Sequence, residues 1–367
     1  MDPHGPIAGR FPLVARFRPA CLPLPERVRS VTVLASRAVE QSDQGLASTV
    51  FNQTALIASD LGLPDLARAM CHRHAEAYLN ACPLPAMAAI RALEPLVNLA
   101  RLQIRAGRTD EGRQRLLDLY EAVGAAAAVS FEGITVPPEL TCTESDRREV
   151  RAWLWRVLLA DGTRSLTATG RWGEALAHLE QHRGVGTRML DGRQVAVIAA
   201  LTAGQTGTAH ELLASTKPGE PWEHAVTACL MTLCRRDAGQ TIDDCFASLT
   251  NTFLNHEANA GMTVFDVRLG LTVLDAIGSV EHPEVRLLVD DLCRRTTEAR
   301  NGYAARELMA HSLFDALARD TQWQDCEDLL RNCALDSGTL PEKLHRDLTI
   351  ALDAGERVLS QSLKCCE

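Results

Sequence analysis

Aromatic residues are scarce: Phe, Trp and Tyr together make up 4% of the chain. That weighs against a β-rich fold, because strands draw on aromatic and β-branched residues for their pleated surfaces. Positive charge is short as well, with 38 Lys and Arg against 47 Asp and Glu and a formal net charge of −9. A chain of this balance lacks the global positive field that non-specific nucleic-acid binding needs, so no nucleic-acid partner is expected. No apolar run approaches the length of a bilayer span, and no membrane partner is expected either. Cys-x-x-Cys does not occur, although the chain has twelve cysteines. Cys71, Cys229, Cys234, Cys293, Cys326 and Cys333 fall inside apolar helical patterns, and Cys365 and Cys366 form a vicinal pair at the C-terminal end. Scatter of this kind reads as inert thiols in a reducing cytoplasm rather than as a disulfide framework. A glycine-rich phosphate loop, G-x-S-x-G and H-E-x-x-H are all missing. No local spacing therefore names a reaction, although a triad drawn from distant positions would leave no such trace.

What the sequence has is helix formers. It is 46% hydrophobic over 367 residues, rich in Ala, Leu and Arg, which favour helices. Met1 to Pro25 is a Pro- and Arg-rich segment broken by Pro12, Pro19, Pro23 and Pro25. It is a poor signal peptide and reads as a loose arm over residues 1–25. From Glu26 to the end, residues 26–367, amphipathic segments alternate with short breaks and read as a single helical-repeat domain. Gly62-Leu63-Pro64-Asp65 is a helix stop followed by a restart. Gly107 stops another helix, and Thr109-Asp110-Glu111 opens the next. The one interruption is an irregular insert at about residues 124–146, where Val129 to Val136 reads as two short extended pieces about a glycine. Pro341 to Leu363 reads as a closing helix.

The phrase Arg171-Trp-Gly-Glu-Ala-Leu-Ala-His-Leu-Glu-Gln181, preceded by Gly170, recurs in weaker form. Restarts at Trp172, Thr206, Thr241, His282 and Gln322 are 34, 35, 41 and 40 residues apart. Such periods belong to stacked helix pairs, each packed on its neighbours. Gly170-Arg-Trp-Gly-Glu-Ala-Leu, Ala106-Gly-Arg-Thr-Asp-Glu-Gly and Ala203-Gly-Gln-Thr-Gly-Thr-Ala resemble the second-helix openings of tetratricopeptide repeats. The family's first-helix signature, W-x2-L-G-x2-Y, is absent, which leaves a looser α-solenoid open. Phe51 to Leu79 and Gly219-Glu-Pro-Trp-Glu-His-Ala-Val resemble segments of actinobacterial helical-repeat proteins from regulatory or natural-product gene neighbourhoods. The resemblance implies an all-α, right-handed solenoid of about seven or eight antiparallel helix pairs.

Candidate sites follow from polar residues set at helical spacing. Arg91, Glu94, Asn98, Arg101 and Arg105 share one helix face, and Asn52 and Gln53 interrupt the preceding apolar helix. Asn52, Arg91, Asn98, Arg101 and Arg105 are candidates for clamping a peptide backbone or carboxylate, since arginine offers a bidentate fork. Intrahelical pairing on an exposed face is the bland alternative. Trp153 and Trp155 cannot both face the core, and Trp155 is the candidate groove anchor. The insert at 124–146 is expected to fold across the groove. His178 and His182 share a helix face but lack a third ligand at motif spacing, so they read as a solvent-facing stripe and no metal is expected. His72 and His74 point to different faces. Asp243-Asp244 and Asp290-Asp291 resemble the diphosphate-binding pairs of helical terpenoid synthases. Ala247 and Arg294 or Arg295 stand where a third aspartate belongs, and Asp243-Asp244 suits a helix N-terminus.

The functional expectation is a cytoplasmic binding or scaffolding protein. It would hold a peptide or protein partner in a concave groove, without a cofactor, in a regulatory or natural-product setting. Homodimerisation is left open. The alternative is a cofactor-independent enzyme on a helical scaffold, acting on a peptide or small natural product; a deep closed pocket with convergent ionisable groups would distinguish it.

Overall fold

The computed structural model describes residues 1–255, 261–278 and 281–364, less a few side chains. The side chains of Asp243 and Asp244, and the pair Cys365 and Cys366, lie outside the described residues. In chain order the helices are α1 (Pro6–Arg10), α2 (Leu24–Gln41), α3 (Gln44–Asp60), α4 (Pro64–Leu79), α5 (Ala86–Arg105) and α6 (Thr109–Ala125). A hairpin of β1 (Val129–Phe131) and β2 (Ile134–Val136) follows, then α7 (Glu144–Val157), a π-helical turn (Leu158–Gly162) and α8 (Thr163–Thr167). The remainder is α9 (Trp172–Gln181), α10 (Asp191–Thr202), α11 (Thr206–Ala214), α12 (Pro221–Asp237), α13 (Asp243–Leu254) and α14 (Thr263–Ile277). Last come α15 (Pro283–Glu298), α16 (Gly302–Met309), α17 (Ser312–Leu317), α18 (Asp320–Cys333) and α19 (Glu342–Lys364). The fold is all-helical apart from that hairpin among the described residues.

Residue contacts divide the chain into two compact units rather than one domain beginning at residue 26. One is Met1–Pro23 with Leu166–Cys333, and the other is Leu24–Ser165 with Ala334–Glu367. In the second of these, each helix from α2 to α7 packs on the next. The long α19 returns to pack on α2, α3 and α4, so it joins the start of this unit instead of extending a row from α18. The loop before α19 supplies partners for the end of α3: the Asp336 and Gly338 amides donate to the Asp60 and Leu61 carbonyls at 2.8 Å, groups that a helix end leaves unpaired. Arg27 and Asp60 form a largely buried ion pair at 2.5 Å, and Arg73 of α4 pairs with Asp353 and Glu356 of α19.

The hairpin forms because Glu132 (φ 47°) and Gly133 (φ 86°) both take left-handed backbone, as a two-residue type I′ turn requires. Val129 pairs with Val136, and Phe131 with Ile134. Phe131, Ile134 and Val136 are buried against α4 and α6. The insert is thus part of the core. It does not lie over the face of α5 that carries Asn98 and Arg101; its turn touches α5 through Gln103, which donates to Glu132 at 2.9 Å from roughly the opposite side of that helix.

In the other unit, α9 to α12 pack in sequence, and the alternate helices α10, α12, α14, α16 and α18 also touch one another in turn. Every residue of α10 from Gly192 to Leu201 is buried, a pattern that requires cover on more than one side. Gly192 meets the backbone so closely that a Cβ would lie 2.2 Å from the Gly184 carbonyl oxygen. Alanine normally stabilises a helix over glycine by about 1 kcal/mol, but here overpacking against a carbonyl opposes it. Gly192→Ala should destabilise this unit by about 1–3 kcal/mol. Gly207→Ala in α11, where a Cβ would meet nothing within 4 Å, should stabilise it by up to about 1 kcal/mol. Urea denaturation of both variants checks the contrast, and equal signs would show that α10 is not pressed against that loop.

Candidate functional site

The residues singled out by spacing come together in the second unit, on a seam between α3 and α5. The Asn52 side-chain amide donates to Glu94 at 2.7 Å, and Asn98 donates to the Asn52 carbonyl oxygen at 3.2 Å. Arg101 donates to Asn98 at 3.0 Å. It also presents Nε and Nη2 to Asp161 at 3.0 and 2.7 Å. Arg91 donates to Gln44 at 2.9 Å, and Arg105 to Ser59 at 2.5 Å. Most of these bonds run between helices, so the row is neither a set of intrahelical pairs nor an open clamp. Arg101 already holds a carboxylate, that of Asp161, which the π-helical turn carries. Trp155 is half-buried on α7, while Trp153 packs against the unit's core.

Glu94 shows what this seam costs. Burial raises its pKa, and the Asn52 hydrogen bond and the nearby Arg91 and Arg101 charges only partly offset that. A carboxyl whose folded pKa exceeds its unfolded value of about 4.3 adds stability at low pH. That contribution is lost as pH rises through the unfolded value and then the folded one. Glu94→Gln keeps an oxygen to accept from Asn52 and removes the buried charge. At neutral pH it should leave stability unchanged or raise it by less than about 1 kcal/mol, and the parent should gain on the variant as pH falls through the raised folded value toward the unfolded one. Urea melts at two pH values check this; a clear loss at neutral pH would mean that attraction to Arg91 and Arg101 outweighs burial.

Behind the seam lies a Ser–His pair. The Ser48 hydroxyl is 3.0 Å from His74 Nε2 and 2.8 Å from the Tyr78 hydroxyl. Phe51 stacks on His74 with ring centroids 5.1 Å apart. Burial lowers the His74 pKa to about 3 and raises that of Tyr78 to about 12. Ser48 is 2% exposed, so a substrate has no approach to it, and the set is a satisfied core network. His178 is also buried, edge-on to His182 at 4.8 Å, where a solvent-facing stripe was expected. His178 follows Trp172 and Ala175 onto the packed side of α9, both buried. Among the described residues no group of three or more His, Cys, Asp or Glu is placed to hold a metal ion. Nor is any described helix long and apolar enough to cross a membrane.

A second constellation lies where spacing gave no signal. The segment of residues 1–23 is packed into the first unit rather than loose. Ala8, Phe11, Leu13 and Cys21 are buried, and from residue 13 to 23 the segment has no helix or strand of its own. It is held by its backbone. Gln194 of α10, itself fully buried, accepts from the Leu13 amide at 2.6 Å and donates to the Leu13 carbonyl at 2.7 Å. The Arg18 amide donates to the Gly261 carbonyl at 2.9 Å. Asn301, the N-cap of α16, accepts from the Cys21 amide at 3.2 Å, and the Gly302 amide donates to the Cys21 carbonyl at 2.9 Å.

Its side chains add three basic contacts. Arg10 pairs with Asp275 of α14, which His311 also approaches at 3.2 Å. Burial alone would raise the Asp275 pKa, but the His311 hydrogen bond and the Arg10 charge hold it below its ordinary value. Arg16 Nη2 donates to both carboxylate oxygens of Asp191, at 3.0 and 2.9 Å. Arg18 lies 3.8 Å over the Tyr303 ring, close enough for a cation–π contact. Gln194 did leave one mark in the sequence: a carboxamide inside the run Val195 to Leu201 is a polar group that burial obliges to find partners. Nothing in the sequence says that those partners lie on Leu13.

Comparison with protein-family models, with curated proteins and with solved structures found no match.

Proposed function

We propose that this is a binding or scaffolding protein, built as a degenerate tetratricopeptide-like α-solenoid, that holds an extended peptide segment of a partner against one layer of its helices. The observation that carries the reading is the hold on residues 13–21, in which Gln194, Gly261, Asn301 and Gly302 take backbone groups of a chain that has no helix or strand of its own. Backbone hydrogen bonds bind an extended peptide whatever its side chains, and pockets or charges then select among sequences. The stacking of each helix on the next, with alternate helices also in contact, is what a solenoid of helix pairs would give. The α3–α5 seam, its arginines already partnered, is the weaker candidate for the ligand.

A displayed peptide library panned against the full-length protein tests the proposal. Measured in a background that already carries Arg16→Ala, so that the internal Arg16–Asp191 pair is absent, selected peptides should lose about tenfold in affinity on adding Asp191→Asn, a loss of about 1.4 kcal/mol. Selection of nothing above an unrelated helical protein, or peptides indifferent to Asp191 and Asn301 substitutions alike, would remove the reading.

A further inference from the structure

We infer that residues 1–23 are an intramolecular ligand, occupying the face of the first unit that otherwise takes an extended apolar and basic segment from a partner. This rests on the peptide-binding reading and adds its regulation and the chemistry of its ligand.

Three observations carry it. The first is the layer that the segment touches. Met1 pairs with Asp237 of α12, Arg10 with α14, Leu13 and Arg16 with α10, and Cys21 with the start of α16 and with Cys333 of α18. These are the alternate helices that also contact one another. The second is the mode of attachment. Residues 6–10 bring the short α1, which packs on α14, but the remainder of the segment brings no helix. Residues 13–23 have neither helix nor strand, with tight turns at Val14–Arg16 and Ala20–Leu22, and Leu13 and Cys21 have both backbone groups taken by the helical layer. The third is the division between buried and exposed positions. Leu13 and Cys21 are buried, while Arg16, Phe17 and Arg18 between them are exposed, Phe17 to 70%. The segment is thus buried at Leu13 and Cys21, while the exposed stretch between is held by the Arg16–Asp191 pair, the Arg18 amide bond to Gly261 and the Arg18–Tyr303 contact, and it is there, on the solvent side, that a competitor can begin to replace it.

The layer also fixes what the competitor must be. α10 and α14 are buried nearly all round, and lifting the segment away would wet apolar surface on both. Replacement by another apolar segment is therefore favoured over an empty face. Asp191, Asp275 and the Tyr303 ring select for cations at the places of Arg16, Arg10 and Arg18.

The test uses the full chain and a labelled synthetic peptide of residues 8–23. In the triple variant Arg10→Ala, Arg16→Ala, Arg18→Ala the cis segment keeps its apolar contacts and loses its three basic ones. The labelled peptide should bind this variant at least about tenfold more tightly than the parent, since occupancy of a site in cis reduces apparent affinity in proportion. Adding Asn301→Ala should weaken that binding again. Equal, measurable binding to parent and triple variant would overturn cis competition and leave the binding reading standing. No binding to either, with both folded by circular dichroism, would overturn both. If the triple variant does not fold, hydrogen exchange on the parent decides. Leu13 and Cys21 amides exchanging at least about a hundredfold faster than those of α10 indicate a segment that detaches by local opening; exchange at the same rate as α10 would make it a fixed part of the core and end the inference.

Discussion

Trp172→Ala is expected to destabilise the first unit by about 3–5 kcal/mol, the range for truncating a fully buried large aromatic. Trp172 opens α9 and is 1% exposed. Gly170 before it takes left-handed backbone at φ 70°, which turns the chain so that the indole enters the core. The indole Nε1 donates to the Pro3 carbonyl at 3.0 Å, so the loss combines apolar burial with one hydrogen bond to the N-terminal segment. Trp172→Phe separates the two parts. Phenylalanine keeps most of the apolar area but cannot donate, and should cost about 1–2 kcal/mol. Urea unfolding followed by circular dichroism measures both, with separate transitions allowed for the two units, since two-state arithmetic fails when units unfold independently. A loss below about 1 kcal/mol in Trp172→Ala would mean that the surroundings collapse into the space, and that the first turn of α9 is not an anchor.

The same residue shows how far the sequence could be read. Helices do begin at Pro64, Thr109, Trp172 and Thr206, and His282 is the N-cap of α15. Each start follows a local rule, glycine closing one helix and a polar or proline-led turn opening the next. α13 begins two residues later than the spacing suggests and α18 two residues earlier, an ordinary error where caps are weak. The two strands of the hairpin were legible as extended pieces about Gly133 for a similarly local reason, while their pairing was not read.

What was not legible depends on residues far apart in the chain. Arg101 reads as an unmatched cation because its partner, Asp161, is 60 residues away on a π-helical turn. α19 reads as the end of a row because nothing local says that it packs on α2. Residues 1–25 read as an arm because proline and arginine content describes how a segment behaves alone. It is Gln194, 181 residues from Leu13, that fixes the segment in place.

Polar groups in the two places find partners of different kinds. The α3–α5 row is satisfied by side chains of the unit's own helices and its π-helical turn, and a ligand there would have to break the Arg101–Asp161 pair before gaining anything. The carboxamides and carbonyls around residues 13–21 are satisfied by a backbone. A backbone is the one chemical feature that every peptide shares, so that set can be satisfied equally by another chain. This difference favours a receptor for extended peptide over a receptor for a carboxylate.

Gln194→Ala should therefore be the most informative single substitution on this face, with an expected loss of about 2–4 kcal/mol. It deletes the two bonds to Leu13 and a third to the Met189 carbonyl at 3.1 Å, and leaves the Leu13 amide and carbonyl buried without partners. Net hydrogen bonds contribute about 1 kcal/mol each, and an orphaned buried group costs about 1–3 kcal/mol more. The sum has a ceiling. If residues 1–23 can lift off and hydrate, the loss cannot exceed the free energy that holds the segment down, because detachment relieves the orphaned groups. Gln194→Leu, which fills the space without offering a partner, should lose a similar amount if hydrogen bonding dominates and clearly less if packing does. Urea denaturation gives the magnitude, and hydrogen exchange at the Leu13 and Cys21 amides shows whether the segment has been released. A loss below about 1 kcal/mol with unchanged exchange at Leu13 would mean that the carboxamide is not what holds the segment, and that the apolar contacts of Phe11 and Leu13 suffice without it.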